Sequence, residues 1–196
     1  MRTESPARLR LLDAAQRLFY ADGIAATGVD RIVAEAGVAK PTLYTHFGTK
    51  DALVDAVLRR RHERRGAELR EYLDEHAHSP RERLLAVFDW LAEWQADEGR
   101  RGCAFLNAAA EVRDGTALET IRAHKSWWLG ELSALAEAAG VPDPEQFGGD
   151  LLLLLDGANG RQLVHGEHTA AAARARRIAA TLLDATLLDA ALDGPR

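Results

Sequence analysis

A short stretch of the sequence, residues 40–50, carries side chains that can hydrogen-bond to nucleic acid. Lysine and histidine supply N–H donors, and threonine and tyrosine supply hydroxyl groups. Spaced along the outward face of a helix, such groups can reach phosphate oxygens and the edges of bases. The stretch offers Lys40, Thr42, Tyr44, Thr45, His46 and Lys50. The sequence therefore predicts a contact with nucleic acid at this point.

The elements that must position these groups are typical of a helix-turn-helix. A first short helix begins at a capping box predicted over Thr27–Asp30 and ends at Gly37, which can adopt the left-handed backbone of a helix end. A second short helix covers about residues 40–46, and Leu43 and Phe47 are expected to hold it against the first. In this motif the second helix enters the major groove of DNA.

One string in this region closely resembles the TetR family of bacterial regulators, and the resemblance extends over about residues 8–56. The string reads Gly37-Val38-x-Lys40-x-Thr42-Leu43-Tyr44-x-His46-Phe47-x-x-Lys50-Asp51-x-Leu53. The resemblance implies an all-helical homodimer with a three-helix DNA-binding domain and a core of about six helices. It also implies base contacts from Lys40, Pro41, Thr42 and Thr45, and phosphate contacts from Thr27, Tyr44, His46 and Lys50.

Two positions depart from the family pattern. Ala39 stands where many relatives have serine, so the second helix lacks a side-chain cap worth roughly 1 kcal/mol. Pro41 stands where glycine or another small residue is frequent, which stiffens the start of that helix. We interpret Phe47 as a core residue and Tyr44 as a phosphate contact whose ring packs on its neighbours. The basic run Arg59–Arg65 is interpreted mainly as a solvated helix face.

A second group of candidate residues lies farther along the chain, where aromatic side chains are concentrated. All four tryptophans fall between Trp90 and Trp128, and the segment from Gly102 to Glu111 resembles one that lies beside the ligand cavity in a branch of the family. Apolar walls with a few polar groups are typical of small-molecule sites. The candidate effector residues are Trp90, Trp94, Phe105, Asn107, Glu111, His124, Trp128, Asp156 and Asn159. Ordinary core packing is the alternative for each aromatic residue, and a subunit interface is the alternative for Asp156 and Asn159.

Patterns of catalytic and metal sites are not found in the sequence. It has no His-Glu-x-x-His, no glycine-rich phosphate loop, no Gly-x-Ser-x-Gly and no His-Asp pair of the metal phosphohydrolase kind, so we predict no enzyme and no cofactor. His165 and His168 are three residues apart, but a closed metal site needs two further ligands, and we predict none. Cys103 is the only cysteine and is interpreted as a small apolar residue.

Composition predicts an all-α protein, because alanine and aliphatic residues dominate while glycine and proline are sparse and clustered. We expect about nine helices, with a helix-turn-helix DNA-binding domain at residues 1–50 and a helical ligand-sensing and dimerisation domain at residues 51–196. A capping box at Ser79–Glu82 is expected to begin the fifth helix. Residues 1–65 carry 12 basic and 8 acidic side chains, and the remainder carries 13 and 22. A basic end on an acidic body indicates that this end faces phosphate.

The last two helices carry more apolar side chains than a small domain can bury, notably around Leu151–Leu155 and Leu182. In the family the final two helices of each subunit form the dimer interface, and small residues at Gly157, Ala158 and Gly160 would permit close approach. The longest leucine run is too short to span a bilayer, and no signal-like apolar stretch begins the chain. We therefore expect a cytoplasmic homodimer with no membrane partner.

These features predict a transcriptional repressor that binds a palindromic operator in double-stranded DNA as a homodimer. A small apolar or cationic effector is expected to release it. The alternatives are a ligand-independent DNA-binding regulator or activator and, less favoured by the motifs, a helical enzyme.

Overall fold

The computed structural model describes residues 5–167 and 169–193, and these residues form nine α-helices and no β-strand. The helices are α1 (Pro6–Asp22), α2 (Val29–Ala36), α3 (Lys40–Phe47), α4 (Lys50–His76), α5 (Pro80–Asp97), α6 (Ala104–Glu111), α7 (Gly115–Ala138), α8 (Pro144–His165) and α9 (Thr169–Asp193). The predicted all-α class is confirmed. The outermost residues of both predicted domains lie outside the described part, as does His168. No helix within the described ranges has the length and apolar character that crossing a bilayer requires.

The described residues form two compact units. The first contains the described part of Met1–Arg64 together with Ala104–His124, and the second contains Arg65–Cys103 together with the described part of Lys125–Arg196. Helices α1, α2, α3 and α6 therefore lie in the first unit, and α5, α8 and α9 lie in the second. Residue 50, the predicted domain boundary, is the first residue of helix α4, and the division into two functional domains stays a prediction.

Helices α1, α2 and α3 share one apolar core in the first unit. Ile32 of α2 and Leu43 of α3 are fully buried, and Phe47 packs against the same cluster, in agreement with its interpretation as a core residue. Gly37 ends α2 with a left-handed backbone at φ 62°, as predicted. Because a side chain at this φ would be strained, glycine is what allows α3 to begin so soon after α2.

In the second unit, α9 packs against both α5 and α8. Phe88 of α5 and Leu183 of α9 are fully buried in this core. An ion pair joins the same two helices, with Arg176 Nε 2.8 Å from Asp89 Oδ2. The apolar face of α9 that meets α5 is therefore buried within the chain. Other apolar side chains of α9 remain exposed.

The helix starts confirm one predicted capping box and correct another. Ser79 accepts a hydrogen bond from the backbone of Glu82, whose carboxylate accepts from the Ser79 backbone, so the box at the start of α5 is confirmed. The box over Thr27–Asp30 is wrong. Gly28 occupies the N-cap position of α2, and the Thr27 hydroxyl turns inward to donate to the carbonyl of Gly23.

We expect Ser79→Ala to lower the free energy of unfolding by about 1 kcal/mol, since it removes a cap acceptor. Hydrogen bonds from the backbone N–H groups of Ser79 and His78 lower the pKa of Glu82. The contribution of Glu82 is therefore present above its ordinary pKa and is lost as the pH falls through the lowered value. Thermal unfolding at pH 7 measures the effect, with Ser126→Ala on the exposed face of α7 as the control. Equal stability of the two variants would contradict the prediction.

Candidate functional site

The predicted base-reading and phosphate-binding residues of α3 lie on its outward side. Leu43 is the side chain of α3 that is fully buried in the core, and most of the other α3 side chains are exposed. Tyr44 is 45% exposed, and its contact with a phosphate stays a prediction. Of the other predicted residues of α3, three are exposed, namely Lys40, Pro41 and Thr45. Thr42 and His46 are half-buried. The face is thus available to DNA, and the individual contacts stay predictions.

The ammonium group of Lys40 is held by a carboxylate of the preceding helix. Its Nζ lies 2.8 Å from Oδ1 of Asp30, and this hydrogen bond raises the pKa of Lys40 above its ordinary value. Both side chains are at least half exposed, and exposed ion pairs contribute little free energy. Lys40 can therefore exchange Asp30 for a base or a phosphate at small cost, and it remains charged.

Two of the predicted phosphate contacts are engaged inside the protein. The Thr27 side chain is buried and its hydroxyl lies 2.7 Å from the carbonyl oxygen of Gly23. In this conformation it offers no hydroxyl to a phosphate, and the backbone N–H groups at the start of α2 are the better candidates there. Lys50 donates to the carbonyl of Ile24 at 2.6 Å. Since an ammonium group has three donors, Lys50 keeps the capacity to contact a phosphate as well.

Glu111, predicted as an effector residue, contacts the loop between α1 and α2 instead. Its two carboxylate oxygens accept hydrogen bonds from consecutive backbone amides, from Ile24 N at 3.1 Å and from Ala25 N at 2.6 Å. The residues are more than 80 positions apart, and the sequence gives no signal for the contact beyond the glycine at position 23. This contact was not predicted from the sequence, and effector binding by Glu111 stays a prediction.

The other predicted effector residues of the first unit are mostly packed among themselves. The rings of Phe105 and His124 are stacked with centroids 3.5 Å apart, and His124 Nδ1 lies 3.0 Å from Nδ1 of His62. Asn107 lies in the wall of a cavity of about 30 Å³ between α1, α4 and α6. This volume holds no more than one or two water molecules, so the cavity is too small for an effector without rearrangement.

Three of the predicted tryptophans come together in the second unit. The rings of Trp90 and Trp94 are stacked at 6.4 Å, and Trp128 is 5.9 Å from Trp90. Trp128 is only 4% exposed and belongs to the core cluster. The packing therefore agrees with the core alternative for Trp128, whereas Trp94 is half-buried and faces a groove.

This groove has a volume of about 520 Å³ and combines aromatic walls with negative charge. Tyr72, Trp90 and Trp94 form the aromatic part, and one cation, Arg65, lies over the Trp94 ring at 4.5 Å. Burial and a hydrogen bond to Glu93 raise the pKa of Tyr72, so its hydroxyl stays protonated. The acidic residues along the groove are Glu68, Glu71, Glu75, Glu93, Asp97 and Glu98. A positively charged organic molecule would meet complementary charge here.

Asp156 and Asn159, the remaining candidates, have partners within the second unit. Asp156 forms an ion pair with Lys125. The Asn159 amide donates to the Leu155 carbonyl at 3.0 Å, and its oxygen accepts from Gln95 at 3.4 Å. Each of these polar side chains in the apolar helix α8 therefore has a partner in its own unit, and a role of either residue in effector binding stays a prediction.

The described residues contain no cluster of three or more histidine, cysteine, aspartate or glutamate side chains that could hold a metal ion. His168, one half of the weak His165–His168 pattern, lies outside them. Cys103 is a half-buried free thiol.

Comparison with known proteins agrees with this arrangement. Residues 11–57 match the family model described as bacterial regulatory proteins, tetR family. A relative from Pseudomonas putida, named "Probable HTH-type transcriptional regulator ArpR", is 30% identical over 172 residues, which cover 80% of each chain. The crystal structure of SCO4454, a TetR-family regulator from Streptomyces coelicolor, is 32% identical with a TM-score of 0.86, covering 93% of this chain and 97% of that one.

A second crystal structure, of a tetr-transcriptional regulator from Streptomyces avermitilis, is 31% identical with a TM-score of 0.78. The match covers 93% of this chain and 98% of that one. Both the helix-turn-helix and the helical remainder of this chain are thus shared with regulators of transcription. The helical-enzyme alternative is set aside, because the matching proteins are DNA-binding regulators and not enzymes. The chain belongs to the TetR family of transcriptional regulators.

Proposed function

We propose that this chain is a cytoplasmic repressor that binds a palindromic operator as a homodimer and leaves it when a small apolar or cationic effector binds. The observation that carries the proposal is the outward face of α3, where Lys40, Tyr44 and Thr45 are exposed on a helix fixed by the buried Leu43. In a helix-turn-helix this is the helix that reads the major groove.

The dimer is supported by apolar side chains that α8 and α9 leave exposed. Leu153, Gly157, Gly160 and Val164 follow one another at spacings of four, three and four residues, which places them along one side of α8. A methyl group added to Gly157 or Gly160 would meet no atom within 4 Å, so this side is open to a second helix. Ala158, expected on this side, is buried in the core of its own unit. The exposed large apolar residues of the two helices are Leu153, Leu163, Val164, Ile178, Leu182, Leu188 and Leu192.

The effector is proposed to bind the aromatic and acidic groove of the second unit. Arg65 over the Trp94 ring shows that this ring accepts a cation on its face. The carboxylates of Glu71, Glu75 and Glu93 would attract a cationic group, and Trp90 with Tyr72 would contact its apolar body. This arrangement favours an organic cation over a neutral compound.

Release is proposed to occur by a shift in population. A dimer that holds its two α3 helices about 34–36 Å apart can occupy successive major grooves of an operator. An effector that binds more tightly to an arrangement with another spacing draws the dimer away from DNA. By linkage, operator DNA must then weaken effector binding by the same factor.

The direct test is a titration with and without saturating operator, obtained by selection from random DNA. A panel of apolar and cationic aromatic compounds is first screened by thermal shift, since binding to the native state raises the melting temperature. The best hit is then titrated into both samples. We expect its affinity to be lower with operator by a factor within the usual allosteric range of about 5–150. Equal affinities would contradict release and favour the ligand-independent regulator.

Trp94→Ala tests the place of binding. It should remove most of the affinity for the hit and leave operator affinity unchanged, since Trp94 lies in the groove wall. The matched control is Trp127→Ala, which removes a half-buried tryptophan that is not part of the groove lining. Trp128→Ala is less suitable, because truncating a core tryptophan destabilises a protein by about 3–5 kcal/mol. If both variants lose binding equally, the groove is not the effector site.

A further inference from the structure

The loop between α1 and α2 is held from two sides by side chains of opposite charge. The N–H of Ile24 donates to Glu111, and the carbonyl of the same residue accepts from Lys50 at 2.6 Å. The next amide, of Ala25, donates to the second oxygen of Glu111 at 2.6 Å. One carboxylate and one ammonium group thus bind three backbone groups of two consecutive loop residues, Ile24 and Ala25.

The loop itself is shaped to admit the carboxylate. Gly23 has φ 94°, a conformation that L side chains rarely adopt. A Cβ atom built there would lie 3.0 Å from Oε1 of Glu111, closer than nearly all ordinary contacts. Glycine at this position therefore serves two needs at once, the turn that ends α1 and the close approach of Glu111.

The loop leads directly into α2, the first helix of the helix-turn-helix. It ends at Gly28, the N-cap of α2, and Thr27 within it is anchored by its hydroxyl to Gly23. Helix α2 begins directly after this loop, and its buried residues pack in the core that α1, α2 and α3 share. A displaced loop would therefore move the start of α2 and disturb its packing against α3.

We propose that Glu111 is a positioning residue for operator binding, which holds the α1–α2 loop, and through it α2 and α3, in the arrangement that reads DNA. Glu111 belongs to α6, outside the three helices of the DNA-binding motif, and lies in the same compact unit as they do. The inference rests on the DNA-binding function of the α3 face and is independent of the effector.

The test compares Glu111→Gln and Glu111→Ala with Asp114→Asn. The glutamine amide can accept one of the two N–H groups and turns a donor toward the other, whereas alanine accepts neither. Asp114 is an exposed carboxylate near the same loop and lines a groove that also includes Ile24 and Glu111. Asp114→Asn removes the same negative charge without removing a loop contact.

The two roles that Glu111 could have, a negative charge near DNA or a positioning residue, predict opposite changes in operator affinity. If Glu111 acted only as a negative charge near DNA, removing it would tighten binding to operator and to random DNA alike. As a positioning residue, its loss should weaken operator binding about tenfold per half-site, the scale of a charge-assisted hydrogen bond, while binding to random DNA changes little. Asp114→Asn should leave operator affinity equal or slightly higher.

Hydrogen exchange supplies the local measurement. The amides of Ile24 and Ala25 should exchange at least about tenfold faster in both Glu111 variants, while the amides of the α9 core keep their protection. Faster exchange with unchanged operator affinity would overturn the positioning role and leave a purely local contact. Unchanged exchange would overturn the contact itself. Gly23→Ala provides a second variant, and it should also lose operator affinity, because alanine strains the loop backbone at φ 94° and its Cβ would lie 3.0 Å from the Glu111 carboxylate.

Discussion

Replacing Leu153 by arginine should convert the protein into a monomer that no longer retards operator DNA. Leu153 is 73% exposed on α8, so the substitution disturbs little within its own chain. In a dimer built on this side of α8, the arginine would be buried against apolar residues of the partner, and an unpaired buried charge costs several kcal/mol. Losing the second DNA-binding head removes the gain of bivalent binding, about 10²–10⁴-fold in affinity.

Sedimentation velocity at micromolar concentration measures the first effect, and a mobility-shift titration with operator measures the second. Ala138→Arg is the control, because it adds the same charge at an exposed position of α7. Leu182, the residue first indicated by the sequence, is 37% exposed, so more of its side chain is covered within its own chain than that of Leu153. Circular dichroism of the Leu153 variant is the check that it is folded. A folded variant that remains dimeric would place the interface elsewhere.

The fold was largely predictable because its signals are local. Gly37 ends α2 by a backbone conformation that one residue determines, and the Ser79–Glu82 box lies within four residues. Local signals nevertheless failed at Thr27, because α2 begins one residue later, at the N-cap Gly28, and the Thr27 hydroxyl donates to the carbonyl of Gly23.

The candidate site was predictable only in part, because its remaining features depend on contacts between distant residues. Glu111 and Asn107 share one short helix, and spacing could not distinguish a side chain that binds the α1–α2 loop from one that lines a cavity. The pairing of Asp156 with Lys125 is likewise absent from any local pattern. Conversely, the α3 face could be predicted, since a buried Leu43 fixes which neighbours point outward.

Lys40→Ala should weaken operator binding and reduce the base preference at one position of each half-site. Lys40 is exposed at the first position of α3, where a side chain reaches base edges, and lysine hydrogen-bonds to the O6 and N7 atoms of guanine. If Lys40 contacts a guanine, the variant should lose about 1–3 kcal/mol of operator-binding free energy in each half-site. Two half-sites double that loss, and selection from random DNA should return a motif relaxed at one base pair per half-site.

Asp30→Asn is the matched control, because it removes the carboxylate that holds Lys40 in the free protein and leaves the lysine in place. It should return the unaltered motif with equal or tighter binding, since the ammonium no longer has to leave an ion pair. The salt dependence separates the two roles that Lys40 can have. A phosphate contact would lower the salt slope by about one unit per lysine and weaken all sequences alike. If Lys40→Ala selects the same motif as the unaltered protein, Lys40 contacts the DNA backbone and not a base. Thr42 and Thr45 would then be the candidates for base recognition.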